Sequence, residues 1–216
     1  METLQDCMAS HNGKATTLMI FKSMTPQAVE KETAPWRNTY QWARPYIKNF
    51  TVAVDIGARE GGFAREMEDD FQFIQCFDFR KKYTRHFHLN IKDHKKFKYQ
   101  IYGISDQAQD ILTDKLEKSG HIKECADPKK ERVIKKLRTL DSFGIENVGF
   151  IKMDIEGYEL KAIKGAEQTI KSTWPVIVIE QNQGNIYAQE LLESWGYKCL
   201  GSDSIHNNDF LMVKYE

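Results

Sequence analysis

The sequence predicts a doubly wound α/β domain, and three patterns lead to that prediction. An apolar run at Thr51–Val54 is followed by an acid, a glycine-rich turn and a helical pattern, which is the order of a first βα unit. A second run, Val148–Asp154, also ends on an acid and precedes a helical pattern. Val176–Glu180 is apolar up to its last residue, as expected for a parallel strand buried on both faces. Ligands bind beyond the carboxyl ends of such strands, so the terminal acids are candidate site residues.

The turn after the first predicted strand favours a ligand without phosphate. Gly57 and Gly61 allow a tight turn and the close approach of a ligand. The pattern from Asp55 is Asp-x-Gly-x-x-x-Gly, which differs from the Gly-x-Gly-x-x-Gly pattern of dinucleotide sites. An acid at the strand tip suits a cationic, hydroxyl-rich ligand such as S-adenosylmethionine, which carries an ammonium, a sulfonium and a ribose. A purely structural glycine turn is the alternative interpretation.

Two further strand tips are candidates for the rest of that ligand. Phe71–Phe79 alternates apolar and polar residues like a half-buried strand, and Asp78 lies roughly 20 residues after the glycine turn, the spacing of an acid that holds ribose hydroxyls. Lys98–Ser105 is predicted as a third strand. Ser105 and Asp106 at its tip are placed to contact an adenine.

The composition limits the class of protein. The 216 residues contain 31 Lys and Arg against 31 Asp and Glu, so overall charge argues neither for nor against a nucleic-acid partner. The four cysteines are far apart and form no Cys-x-x-Cys pair, which indicates a reduced protein. There is no signal-peptide core and no apolar run of membrane-spanning length. A soluble, cytoplasmic protein without a membrane partner is expected.

We predict a division of the chain into an N-terminal helical and aromatic extension, residues 1–50, and a main domain, residues 51–216. Pro26 is a candidate helix start, and Trp36–Ile47 is predicted as a helix that covers the sheet edge or the mouth of the site. Its aromatic residues more often pack on a core. Residues 107–138 are predicted as an insertion, because they are polar, charged and interrupted by helix-breaking residues.

The C-terminal part is predicted to complete the sheet. Tyr197–Leu200 and Asp209–Tyr215 are predicted as two final antiparallel strands. Two helices are predicted from apolar stripes, one carried by Leu160, Ile163, Ala166 and Ile170, the other by Ala188, Leu191, Leu192 and Trp195.

Two basic stretches, residues 80–98 and 129–138, are candidates for contact with phosphates or a nucleic acid. The more common interpretation of such runs is a solvated helix face. A metal site formed by His86, His88 and His94 is disfavoured, because His-x-His on a helix does not face one ligand position.

The segment Thr139–Ala166 resembles the FkbM-type methyltransferase family. Its Ile151–Glu159 block carries the family's Ile-Lys-x-Asp-x-Glu-Gly-x-Glu pattern. The other matching motifs are Leu140-Asp141, Gly165-Ala166, the turn from Asp55 to Gly61, Glu180 and Asn208-Asp209-Phe210. The family usually has Asn-Ile where this chain has Arg59-Glu60, and Arg59 is a candidate charge partner for the carboxylate of the cofactor.

The resemblance implies a Rossmann-like class I methyltransferase fold, with a seven-stranded, mostly parallel sheet whose last strand is antiparallel. It implies S-adenosylmethionine as the cofactor, S-adenosylhomocysteine as the product, and O-methylation of a hydroxyl on a sugar or other small molecule. The cofactor-binding residues that it suggests are Asp55, Gly57, Ala58, Arg59, Gly61, Asp78, Phe79, Ser105, Asp106 and Asp154.

A hydroxyl acceptor has to lose its proton, so a general base is expected. Asp154 with Glu156 is the first candidate, Glu180 the second, and His206 a rival. The three acids could instead hold a divalent cation, which is not favoured. Glu156 has a structural alternative as an acid at a helix N-terminus.

Three other functions stay open. The first is methylation of RNA or its cap, using the two basic stretches. The second is a catalytically inactive, methyltransferase-like binding domain, against which the intact strand-tip acids count. The third, a nicotinamide oxidoreductase, is disfavoured because the Gly-x-Gly-x-x-Gly pattern is missing.

Overall fold

Strands form the framework of the protein. The computed structural model describes residues 24–114, 132–181, 186–202 and 208–215. The strands are β1 Val52–Ile56, β2 Phe73–Phe77, β3 Phe97–Gln100, β4 Gly103–Ile104, β5 Gln109–Asp114, β6 Arg132–Arg138, β7 Val148–Met153, β8 Val176–Glu180, β9 Tyr197–Ser202 and β10 Asp209–Lys214.

Helices connect most of these strands. The α-helices are α1 Pro26–Ala43, α2 Gly62–Met67, α3 Thr84–Asn90, α4 Glu159–Lys164, α5 Glu167–Thr173 and α6 Tyr187–Ser194. Short 3₁₀ turns occupy Arg44–Tyr46, Lys81–Tyr83, His94–Lys96 and Asp141–Phe143. Among the described residues, none of the helices combines the length and apolarity needed to cross a membrane.

Seven strands form the main sheet in the order β3-β2-β1-β7-β8-β10-β9. Neighbours from β3 to β8 are parallel, and β10 is antiparallel to both β8 and β9. The predicted seven-stranded sheet with an antiparallel last strand is therefore confirmed. The strand order reverses between β1 and β7, which places a crevice at their carboxyl ends.

Each face of the sheet is covered by its own hydrophobic core. On one face, Val54 packs in a cluster with Ile163 of α4 and Leu192 of α6. On the other face, Ala53 shares a cluster with Phe63 of α2 and with residues of α1 and α3. Neighbouring residues of β1 enter different cores because side chains alternate along a strand.

Helix α1 begins at Pro26, as predicted, and the Thr25 hydroxyl caps it by accepting a hydrogen bond from the backbone of Ala28 (3.2 Å). Tyr40 is 3% exposed and joins the core, which agrees with the interpretation that the aromatic residues of this stretch pack. The guanidinium of Arg44 and the hydroxyl of Tyr40 both donate to Asp70, each at 2.7 Å. These bonds fix α1 beside α2, and the domain boundary at residue 50 stays a prediction.

The predicted third strand, Lys98–Ser105, is wrong as a single element. Strand β3 ends at Gln100, which pairs with Phe77 and whose carbonyl accepts a hydrogen bond from the backbone N–H of Asp78 at 3.2 Å. The chain then enters a separate three-stranded sheet in the order β4-β6-β5. The described parts of the predicted insertion are thus the antiparallel strands β5 and β6.

The predicted helix from Leu160 to Ile170 is also wrong as one element, because α4 and α5 are separate. Gly165 lies between them, and a Cβ there would be 1.9 Å from the carbonyl oxygen of Ser105. The Asp141 carboxylate starts α5 by accepting from the backbone N–H groups of Gln168 (3.0 Å) and Thr169 (2.8 Å). The helix pattern was interrupted by a long-range contact that periodicity alone does not show.

Candidate active site

A small, open hollow lies at the carboxyl ends of β1, β2 and β7. Its position is the one that the strand-tip argument predicts. Both the main sheet and the start of the small sheet contribute to it. The lining residues are Ile56, Gly57, Phe77, Asp78, Phe79, Arg80, Tyr102, Gly103, Ile104, Asp154, Ile155 and Glu156.

Gly57 brings the tips of β1 and β7 together. Its φ is +92°, and a Cβ would lie 1.9 Å from the carbonyl oxygen of Asp154. The backbone of Asp154 donates to the carbonyl of Ile56 at 3.0 Å. Only glycine fits this turn, which holds Asp154 at the edge of the hollow.

Asp55 does not line the hollow. It is 1% exposed and pairs in register with Cys76 on one side and Lys152 on the other. No donor within the described ranges reaches either carboxylate oxygen in hydrogen-bond geometry. Burial raises the pKa of Asp55 to about 7, opposed by the charge of Lys152. Its direct contact with a ligand stays a prediction, and in this structure the carboxylate is buried within the sheet.

Asp78 lines the hollow, but Arg80 already occupies its carboxylate. Asp78 accepts from the Arg80 backbone (2.8 Å), from Arg80 Nε (2.9 Å) and Nη2 (2.8 Å), and from the Arg59 backbone (3.1 Å). A carboxylate offers about four acceptor sites, so ribose hydroxyls can bind Asp78 only if the Arg80 side chain moves. Sequence reasoning missed Arg80, which it counted only within the basic stretch.

Ser105 and Asp106 lie outside the lining, and the two residues before them, Gly103 and Ile104, take that place. Ser105 is fully buried and its hydroxyl donates to Asp106 at 3.0 Å. Because β3 ends at Gln100, the chain reaches the hollow at Gly103 and Ile104 and has already passed it at Ser105 and Asp106.

The remaining predicted cofactor residues shape the first turn or line the hollow. Ala58 is buried and its backbone donates to the carbonyl of Phe77 at 3.1 Å. Gly61 has φ +85° and is the N-cap of α2. Phe79 lines the hollow, and the ammonium of Lys135 lies 4.0 Å from the centroid of its ring.

Three of the predicted catalytic residues come together. One carboxylate oxygen from each of Asp154, Glu156 and Glu180 lies within 4.8 Å of the others. Carboxylate oxygens are ligands that Mg²⁺ and Ca²⁺ use, so these residues are the candidate metal ligands of the described chain. Helix α4 begins at Glu159, which contradicts the interpretation of Glu156 as an acid in the first turn of a helix. His206 lies outside the described residues.

A buried cation holds Asp154 in its ionised form. The Lys152 ammonium lies 2.9 Å from Asp154 Oδ2, and the Lys152 side chain is 6% exposed. Burial alone would lower the pKa of Lys152, but the charges of Asp154, Asp209 and Asp55 raise it well above its usual range. Lys152 therefore stays charged.

The neighbouring carboxyl groups of Asp154 and Glu180 differ in their affinity for a proton. Burial disfavours the charged form of Asp154, but Lys152 outweighs it and holds the pKa of Asp154 below its usual range. The neighbouring Asp154 carboxylate, together with burial, raises the pKa of Glu180 to about 9. Of the two groups, Glu180 is therefore the one that keeps a proton at neutral pH, while Lys152 pairs with Asp154.

We expect the melting temperature of the cofactor-free chain to fall as the pH rises from about 5 to about 9. The folded-state pKa values of Asp55 (about 7) and Glu180 (about 9) exceed the ordinary values of these side chains. The neutral forms of both groups therefore stabilise the fold, and this stabilisation is lost as the pH rises through the folded-state pKa values. The melting temperature of Asp55→Asn should depend less on pH below about pH 7, and that of Glu180→Gln should depend less on pH over the whole range up to about pH 9. A slope equal to that of the wild type in both variants would contradict the assignment.

The sheet order, the antiparallel β10 and the hollow at the switch point define a class I, Rossmann-like methyltransferase fold. Residues 55–208 match the model of the methyltransferase FkbM domain. The chain belongs to this family. No curated protein gives a significant match.

Solved structures resemble the fold at low identity. A methyltransferase FkbM from Methylobacillus flagellatus has a TM-score of 0.56 and 15% identity, over 87% of this chain and 55% of that one. This chain thus spans just over half of its length. A precorrin 8w decarboxylase from Methanobacterium thermoautotrophicum has a TM-score of 0.52 and 11% identity, over 83% and 89% of the two chains. A methyltransferase-like protein of Streptococcus mutans, solved with SAH, has a TM-score of 0.50 and 9% identity, over 82% and 95%.

Proposed function

We propose that this chain is an S-adenosylmethionine-dependent O-methyltransferase that acts on a hydroxyl of a sugar or another small molecule. The observation that carries the proposal is the pair of neighbouring carboxyl groups, Asp154 in the lining of the hollow and Glu180 beside it. A hydroxyl acceptor has to lose a proton during transfer, so a carboxylate that accepts one is what the reaction requires.

The lining of the hollow fits the proposed cofactor. Asp154 and Glu156 provide negative charge for an ammonium and a sulfonium, and Phe79 and Ile104 provide apolar surface for an adenine. Asp78 offers acceptors for ribose hydroxyls once Arg80 has moved. When bound, S-adenosylmethionine supplies a methyl group activated by its sulfonium. Alignment of the reacting groups alone can lower the barrier by up to roughly 7–11 kcal/mol.

Glu180 is the better general base of the pair. Asp154, which the sequence favoured, is a weak base because the ion pair with Lys152 keeps its pKa low. Glu180 holds a proton at neutral pH in the cofactor-free chain. Positive charge bound beside the pair favours the ionised form of Glu180, which can then accept the proton of a hydroxyl.

A transfer screen tests the proposal. The purified chain is incubated with radiolabelled S-adenosylmethionine and with sugars, other alcohols, amines, nucleotides and capped RNA. A methyl ether on a sugar or a small alcohol is the expected product. Methylation of amines alone would contradict the O-methyl assignment, and tight cofactor binding without transfer to any acceptor would favour the inactive binding domain.

A nucleic-acid acceptor is the second candidate, because the fold brings the two basic stretches together. Lys135 from the second stretch lies on the ring of Phe79, directly before the first stretch, and Lys81 and Lys82 are exposed nearby in sequence. RNA binding that weakens steeply with added salt would favour this acceptor. Failure to retain RNA at low salt would exclude it.

A further inference from the structure

Arg59 has an unfavourable backbone conformation. Its φ is +44°, in the left-handed region that glycine adopts freely and that asparagine tolerates better than most residues. Backbone strain of this kind persists where the surroundings enforce it, and it clusters at binding sites. The chain nevertheless has a long cationic side chain at this position.

Two hydrogen bonds fix the backbone of Arg59 at the rim of the hollow. Its N–H donates to Asp78 Oδ2 at 3.1 Å, and the Tyr99 hydroxyl donates to its carbonyl at 3.2 Å. The Arg59 side chain therefore starts beside the tips of β1 and β2. The side chain is 46% exposed, so its guanidinium is accessible from solvent.

The guanidinium of Arg59 has spare donors. Its Nε lies 3.5 Å from Glu60 Oε2, which is long for a hydrogen bond, and its Cζ lies 5.7 Å from the centroid of the Tyr83 ring. Within the described ranges, no acceptor is hydrogen-bonded to the Nη groups. A planar guanidinium with both Nη groups available matches the geometry of a carboxylate.

Two other cations, one in the lining of the hollow and one beside it, already have carboxylate partners. Lys152 is bonded to Asp154, and Arg80 is bonded to Asp78 through two nitrogens. The proposed methyl donor carries an α-carboxylate, which the acids of the hollow would repel without a cation. The charge of Arg59 already acts across the site, because it contributes to lowering the pKa of Asp154.

We propose that the guanidinium of Arg59 binds the α-carboxylate of the methyl donor by paired hydrogen bonds. This inference rests on the proposed function and assigns a cofactor-positioning role to a residue at which the chain departs from the usual Asn of the FkbM pattern. The role also explains why a strained position carries arginine.

Arg59→Asn tests the inference, because asparagine suits the left-handed backbone and removes only the guanidinium. Calorimetry should show that the variant binds S-adenosylmethionine at least about tenfold more weakly, the loss expected for a charged hydrogen-bonded pair. Decarboxylated S-adenosylmethionine, which lacks the α-carboxylate and carries only positive charge, should bind the variant no more weakly than it binds the wild type. The melting temperature of the variant should equal or exceed that of the wild type.

Lys81→Asn is the matched control, since it removes a positive charge from an exposed position near the site, and it should leave both affinities unchanged. Unaltered binding of S-adenosylmethionine to Arg59→Asn would overturn the inference alone. An equal loss for both ligands would do the same, because the carboxylate would then not be the group recognised. If the wild type bound neither S-adenosylmethionine nor S-adenosylhomocysteine, the proposed function would fall as well.

Discussion

Replacing Glu180 with Gln should lower the turnover number by about 10²–10⁴-fold, the usual contribution of a general base. The amide keeps the size of the side chain and its ability to donate to Asp154, but it cannot accept the proton of a hydroxyl. Cofactor affinity should fall much less than turnover, because Glu180 is neutral in the cofactor-free chain at pH 7 and only the gain from its ionisation on binding is lost. Steady-state kinetics with an accepted substrate, together with calorimetry, separate the two effects.

The pH dependence sharpens this test. Wild-type turnover should rise with pH and level off below about pH 9, because bound positive charge lowers the pKa of Glu180 from its cofactor-free value of about 9. Glu180→Gln should lose that rise. Glu190→Gln makes the same chemical change on an exposed face of α6 and should behave like the wild type. Wild-type turnover in Glu180→Gln would remove it as the base.

Replacing Lys152 with Met should destabilise the fold by about 3–5 kcal/mol, the cost of removing one partner of a buried ion pair. Methionine fills a similar volume, but Asp154 and Asp209 lose the cation that offsets their charges. The free energy of unfolding from denaturant titration measures the loss. It should shrink at acidic pH, where the orphaned carboxylates take up protons.

Lys164→Met is the control for this prediction, because it removes an exposed lysine from α4. Surface changes of that kind stay within roughly 0.5 kcal/mol. If Lys152→Met were as stable as the control, Lys152 would not be the cation that holds the strand-tip acids in place.

The central sheet could be predicted from the sequence because buried parallel strands have a local signature. Thr51–Val54 and Val176–Glu180 are short, rich in β-branched residues and bounded by turns, so their identity does not depend on distant residues. The approach of Asp154 and Glu180 follows from the parallel pairing of β7 with β8, whose carboxyl ends meet at one edge. The proximity of these two acids could therefore be predicted from the sequence, and their catalytic roles stay a prediction.

The predictions failed where residues far apart in the sequence meet. The predicted third strand breaks after Gln100, so Ser105 lies outside the lining of the hollow. Which of Asp154 and Glu180 is the base stays a prediction, because it depends on which carboxylate Lys152 reaches, and that is a matter of side-chain placement. Arg80 lies only two residues after Asp78, but composition cannot show that its guanidinium donates two hydrogen bonds to the Asp78 carboxylate.

Proton release on cofactor binding tests the central claim most directly. At about pH 8, Glu180 (pKa about 9) is mostly protonated and Asp55 (pKa about 7) mostly ionised. Calorimetry in two buffers of different ionisation heat should show that S-adenosylmethionine expels a proton from the wild type and none from Glu180→Gln. Equal proton release from both proteins, or no binding to the wild type, would contradict a strand-tip carboxyl pair that faces a cationic methyl donor.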